Sequence, residues 1–218
     1  MGQNNVLRWR DGRGWLVLSG GVDEASDVRA RAVGRLLADG GVAYVTFGSH
    51  LIEAEKTLTD LEDLGAPSGY LVDLFTEDDE TIQAQLAEAG MIVISIEAEP
   101  QEVRSALLGA AAQGLQIAYE NGAVILAEGS SAAVFGEWLV LPDESVRPGL
   151  DWIQGMAVFP GTLAAGETPS VRQFLEVQPA GIAAGIGVGS ALALGPDGEV
   201  ETWGQRQVTI ALGPRFAR

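Results

Sequence analysis

Short, wholly apolar runs alternate with longer segments of helical spacing over the first two-thirds of the chain. Residues 14–20 (GWLVLSG) read as a strand that ends at Gly20-Gly21. Residues 42–47 (VAYVTF), 70–74, 91–96 (MIVISI) and 123–127 read as four more. Strands that are apolar at every position, not at alternate ones, are covered on both faces. Residues 23–38 predict a helix with Val28, Ala32, Leu36, Val33 and Leu37 on its apolar face and Arg29, Arg31 and Arg35 outside, ended by Gly40-Gly41. Residues 52–64 predict a second helix, with Leu58, Leu61 and Leu64 inward and Gly65 as its stop. Thr76 is the expected cap of a third, whose first turn (Glu77, Asp78, Asp79, Glu80) complements the positive end of the helix dipole. Pro100 opens a fourth helix, which points Val103, Leu107 and Leu108 inward. Residues 115–120 form a short fifth helix, closed by Asn121-Gly122.

A repeated strand–helix rhythm implies an α/β protein with a mostly parallel sheet and helices on both faces. The last third differs. Residues 190–194, the turn Gly195-Pro196-Asp197-Gly198 and residues 200–203 read as a hairpin, and residues 207–212 supply another strand. This antiparallel piece is expected at one edge of the same sheet, which makes residues 1–218 a single domain. The glycine-rich residues 181–189 (GIAAGIGVG) lack the G-x-G-x-x-G spacing of a dinucleotide site.

Composition narrows the chemistry. The 218 residues include no cysteine and a single histidine, His50. A cysteine nucleophile, a disulfide framework, a thiolate metal site and any site built on two histidines are excluded. His50 is the one candidate for a histidine base. Lys56 is the only lysine, and it lies in an acidic helix that does not favour a depressed amine pKa. The 13 basic and 30 acidic residues give a net charge of −17. Nucleic acid and anionic membranes are poor partners for such a chain. No segment has the apolar length of a membrane span and the first residues do not resemble a signal peptide, so a cytoplasmic protein is expected. No cofactor is implied. A small molecule or a peptide is the expected ligand, and a homodimer is a candidate assembly without an identifiable interface.

One stretch carries candidate chemistry. Gly129-Ser130-Ser131-Ala132-Ala133 follows a strand and precedes apolar Val134-Phe135. Serine at a sharp strand-to-helix turn is a nucleophile elbow, for which the pattern is G-x-S-x-G. Here Ala133 takes the last position. The same residues also suit a helix start capped by Ser130 or Ser131.

Taken in order, residues 15–21 (WLVLSGG), 40–49 (GGVAYVTFGS), 61–74, 91–108, 121–134 (NGAVILAEGSSAAV) and 186–212 resemble the cyanophycinase and dipeptidase E family, peptidase family S51. The resemblance implies a three-layer α/β/α, flavodoxin-like fold of the class I glutamine amidotransferase kind. It places Ser131 on the nucleophile and gives the Ala132 amide to the oxyanion hole. The ligand pocket would lie near Gly20, Gly21, residues 47–50, Glu97, Ala98, Glu99 and Ser131. Other family features are missing. Residues 96–99 read Ile-Glu-Ala-Glu where the family carries glycines, and the family's histidine has no counterpart in residues 156–161 (MAVFPG). Gly187-Val188-Gly189-Ser190 stands where an acid is expected. The resemblance therefore implies a degenerate peptidase that acts by binding or as a structural protein. The alternative is a rearranged serine hydrolase that uses Ser131 and His50.

Overall fold

The computed structural model describes residues 7–23, 26–37, 40–48 and 51–216. Its first part alternates strictly: β1 (Trp15–Ser19), α1 (Val28–Val33), β2 (Val42–Thr46), α2 (Leu51–Asp63), β3 (Gly69–Asp73), α3 (Asp79–Ala87) and β4 (Met91–Ile94). Then come α4 (Pro100–Ala106), α5 (Ala110–Asn121), β5 (Val124–Glu128) and the single turn α6 (Ser130–Ala133). The remainder is mostly strand: β6 (Gly136–Val140), β7 (Val146–Pro148), β8 (Ile153–Pro160), then α7 (Pro169–Val177), β9 (Ile182–Ile186), β10 (Ser190–Leu194), β11 (Val200–Gly204) and β12 (Val208–Leu212).

Two sheets form. The larger has the order β11-β10-β1-β5-β4-β2-β3, with β1 to β5 mutually parallel and the β10–β11 hairpin antiparallel at one edge. The smaller has the order β12-β9-β8-β6-β7. The hairpin therefore lies at the edge of the main sheet, as its turn chemistry predicts. The strand at residues 207–212 does not: β12 pairs with β9 in the second sheet, which also takes in residues 136–160.

Double-sided burial explains the apolar runs of β1, β4 and β5. Leu16, Leu18, Ile92, Ile94 and Ile125 enter one core, while Trp15, Val17, Met91, Val93 and Leu126 enter the other. The second core packs under α1 and α2 through Val28, Ala32, Ala54 and Leu61. The first core is covered by α3, α4 and α5 and also by the second sheet, through Met156, Val158, Ile182 and Ala184. One face of the main sheet is thus covered by strands as well as helices, which departs from a simple α/β/α sandwich. A third core lies between α7 and the outer face of the second sheet, where Phe174 meets Phe159 edge-on with centroids 6.0 Å apart.

Helix ends differ from the pattern for local reasons. Among the described residues of the expected first helix, only 28–33 are α-helical. Its polar leading residues bond elsewhere: Ser26 Oγ donates to Gly189 O at 2.7 Å, and Asp27 Oδ1 accepts from Gly204 N at 3.0 Å. The third helix is capped by Asp78, which accepts from Thr81 N at 2.9 Å, while Thr76 donates to Asp73. The fifth begins at Ala110, well before residue 115, and ends at Gly122 with φ 103°, the left-handed conformation glycine adopts at low cost. Leu37, Leu64 and Leu108, expected inward, are exposed, Leu37 because α1 ends at Val33, before it. Among the described residues no helix is long and apolar enough to cross a membrane.

Candidate functional site

The carboxyl ends of parallel strands are where ligands bind in open α/β sheets, above all where strand order reverses. Here β2 is flanked by β3 and β4, so the reversal lies between β2 and β4. Tyr44 spans it by donating from its hydroxyl to Ser95 O at 3.3 Å. Burial pushes the Tyr44 phenol pKa up. A cavity of about 630 Å³ opens at this edge between α1 and α2, lined by Ser19, Gly21, Arg29, Tyr44, Glu97 and Glu128 among others. Asp23, Glu53, Asp60 and Asp63 also border it with Lys56, so acidic side chains outnumber basic ones at its rim. Another hollow, about 790 Å³ around Gly40, Tyr70 and Glu88, lies at the opposite, amino-terminal end of β2 and away from the switch point. Among the described residues no group of acidic side chains is arranged to hold a metal ion.

A buried ion pair forms the floor of the cavity. Glu128 is the last residue of β5, and its side chain is 3% exposed. It receives two hydrogen bonds from Arg29, Nε to Oε1 at 3.0 Å and Nη2 to Oε2 at 2.9 Å. Arg29 is 18% exposed and has Asp60 at 3.9 Å as a further, looser neighbour. Burial opposes the Arg29 cation, but the hydrogen bonds and charge of Glu128 outweigh burial and raise its pKa. Arg29 is therefore not on a solvent face, as its place in the helical pattern implied. Glu128 was the available signal: a charge closing a wholly buried strand requires a partner. Arg35 is also engaged, over the Trp15 ring at 4.3 Å and on Glu201.

The sharp turn after β5 is made by Gly129. Its φ of 58° and ψ of −132° lie in a region that side-chain-bearing residues enter only under strain. Its amide donates to Ser19 O at 3.1 Å, which ties the turn to the end of β1. A β-carbon built on Gly129 would have no atom within 4 Å. A side chain at this residue would project into open space, the geometry an elbow nucleophile uses.

Ser131 lies two residues farther on, inside α6, and is 0% exposed. Its Oγ accepts from Ile96 N at 3.0 Å. Ser130 Oγ donates to Ile96 O at 2.8 Å. The two serines thus clamp both polar groups of one peptide residue just beyond β4. Neither is a side-chain cap of α6. The Ala132 amide, expected to face an oxyanion, donates to Gly129 O at 2.9 Å, and Ala132 is fully buried. Glu97 is exposed at the cavity, whereas Ala98 packs against the main core. Gly21 lines the cavity. Gly20 serves packing instead: a β-carbon there would fall 2.1 Å from Ile186 O and 2.3 Å from Gly187 O. His50 lies outside the described residues.

Solved structures share this fold. A peptidase from an acI-B1 actinobacterium superposes with a TM-score of 0.74 over 94% of this chain and 93% of its own, at 18% identity. The fold is that of a solved peptidase. A protein from Listeria monocytogenes EGD-e assigned as a peptidase E superposes with a TM-score of 0.63, covering 87% of this chain and 97% of its own, at 16% identity. At these identities the likeness is one of fold. No protein-family model matches the sequence, and no curated protein matches it.

Proposed function

We propose that this chain keeps a peptidase E-like fold without the peptidase's hydrolytic step, and that it acts in the cytoplasm as a binding protein for a small molecule or peptide. The observation that carries this reading is the turn after β5. The residue whose side chain would face open space is Gly129, which has none to offer. The two hydroxyls that follow it, Ser130 and Ser131, both bond to Ile96. A serine hydroxyl without a base at hand is a poor nucleophile at neutral pH. The sequence carries no histidine after His50 to supply one. An oxyanion hole needs free amides and positive potential, whereas here the Ala132 amide is engaged and Glu97 stands nearby.

Binding falls to the cavity between α1 and α2. Its acidic rim suits a ligand with a cationic group over an acidic peptide. The test is a peptide-library digestion that compares the natural chain with Ser131→Ala. The reading expects no cleavage by either. Cleavage by the natural chain that disappears in Ser131→Ala overturns it. Thermal-shift titration with amines, guanidinium compounds and short basic peptides tests the ligand class, because a ligand that binds only the folded state raises the melting temperature.

A further inference from the structure

Among the described residues four strands end the two sheets: β11 and β3 on the larger, β12 and β7 on the smaller. Folded proteins guard such edges with charges, proline or short strands, because unpaired backbone groups recruit other strands. Three of the four are guarded. The strand β7 has three residues, including Arg147 and Pro148. The strand β11 carries Glu201, which Arg35 pairs, and β3 ends in Asp73. The fourth, β12, reads Val208-Thr209-Ile210-Ala211-Leu212, with no charge, proline or glycine.

The register shows which of its groups are free. Thr209 lies opposite Gly185 and Ala211 opposite Ala183. Flanking bonds run from Gly187 N to Gln207 O at 2.8 Å and from Gly213 N to Gly181 O at 2.9 Å. Antiparallel alternation therefore turns the backbone groups of residues 207, 209, 211 and 213 toward β9. Those of Val208, Ile210 and Leu212 turn away from it, with no hydrogen-bond partner among the described residues. The side chains of these three share one face of the strand. Ile210 is 44% exposed and Leu212 49%.

We infer that β12 is the interface of a two-fold homodimer, in which the β12 strands of two copies pair antiparallel about Ile210. Outward-facing residues must meet outward-facing residues; a two-fold axis at residue 209 or 211 does this for two of the three, and the axis at Ile210 pairs all three, Ile210 with Ile210 and Val208 of one copy with Leu212 of the other. This closes about six inter-chain backbone hydrogen bonds under an unbroken apolar ladder. The flanks are compatible: Arg206 falls opposite Pro214, and Gln205 opposite Arg215, so no like charges meet. Each copy carries a net charge of −17, so a long-range repulsion between copies remains. Salt screens the remaining long-range repulsion between copies and tightens the dimer. The two small sheets become one continuous sheet, and the interface is isologous, as two-fold symmetry requires.

Sedimentation velocity on the full chain, from micromolar to sub-millimolar concentration, tests this. The natural chain sediments as a dimer that dissociates on dilution. Ile210→Lys, which places two ammonium groups on the axis, weakens association by more than about tenfold. Position 210 is half exposed, so that variant keeps its fold, which circular dichroism checks. The chain has no cysteine, so Ile210→Cys provides a second readout without background. Hydrogen-bonded antiparallel partners sit about 5.5 Å apart at Cα, within disulfide range. Ile210→Cys therefore oxidises to a covalent dimer, while Val200→Cys on the β11 edge does so far more slowly. A natural chain that is monomeric throughout, a dimer indifferent to folded Ile210→Lys, or equal cross-linking at both positions overturns the inference.

Discussion

Replacing Glu128 by alanine removes half of the ion pair on the cavity floor and leaves Arg29 without its main partner. The loss is of two charge-assisted hydrogen bonds, at 3.0 and 2.9 Å, each worth about 1.5–3 kcal/mol. Breaking a fully buried pair from one side costs about 3–5 kcal/mol. Arg29 retains 18% exposure and has Asp60 at 3.9 Å, so the lower end applies, about 3 kcal/mol. For a chain of this size that lowers the melting temperature by about 6–12 °C. The assay is urea unfolding followed by circular dichroism, on Glu128→Ala and on the closed cycle of Arg29→Met, Glu128→Leu and the double variant that combines these two. The double variant replaces both charges with apolar groups and loses less than the sum of the single losses, with a coupling above about 1.5 kcal/mol. If Glu128→Ala stays within about 0.5 kcal/mol of the natural chain, the pair is solvated and this description of the cavity floor is refuted.

Further outcomes follow from the same geometry. Ser131→Ala leaves the buried Ile96 amide without its acceptor and lowers unfolding free energy by about 1–3 kcal/mol, read by urea titration; no loss would show that the clamp is not formed. Gly20→Ala drives a methyl into backbone carbonyls and prevents normal folding, whereas Gly129→Ala meets no atom and costs only backbone strain, about 1–3 kcal/mol; soluble expression and melting temperature separate the two. Burial raises the Tyr119 phenol to about 12. An unfolded tyrosine ionises near ~10, so the folded state holds this proton more tightly. The associated stability is present below the unfolded value and is lost as pH rises through the folded one. Tyr119→Phe therefore flattens the alkaline limb of the stability–pH curve, and an unchanged limb would contradict the burial argument.

The main sheet was legible because its strands are buried on both faces. A strand such as Met91–Ile94, with no polar position, has few alternatives once helices flank it. The hairpin at β10 and β11 was legible from its turn residues. The second sheet was not. Its strand β9 is built largely of alanine and glycine, because neighbours approach closely: a β-carbon on Gly185 would lie 2.8 Å from Thr209 Oγ1 and 3.0 Å from Thr162 O. Small residues chosen for close approach look like loop composition in one dimension.

Of the residues the sequence offered for a pocket, Gly21 and Glu97 border the cavity, while Gly20 and Ala98 pack elsewhere. Arg29 escaped notice because its partner Glu128 is 99 residues away, and helical periodicity sees each helix alone. The turn after β5 was located correctly, but a search for serine settles on Ser131, whereas the sharp conformation belongs to Gly129. Backbone geometry decides which residue of G-S-S faces outward, and one-dimensional spacing does not carry that information.

The central claim, that no hydroxyl at the turn after β5 serves as a nucleophile, is tested most directly by intact-protein mass spectrometry after exposure to an alkyl fluorophosphonate at neutral pH. The account predicts an unchanged mass. A stoichiometric phosphonyl adduct that maps to Ser131, and that is absent from the folded Ser131→Ala variant, would contradict it.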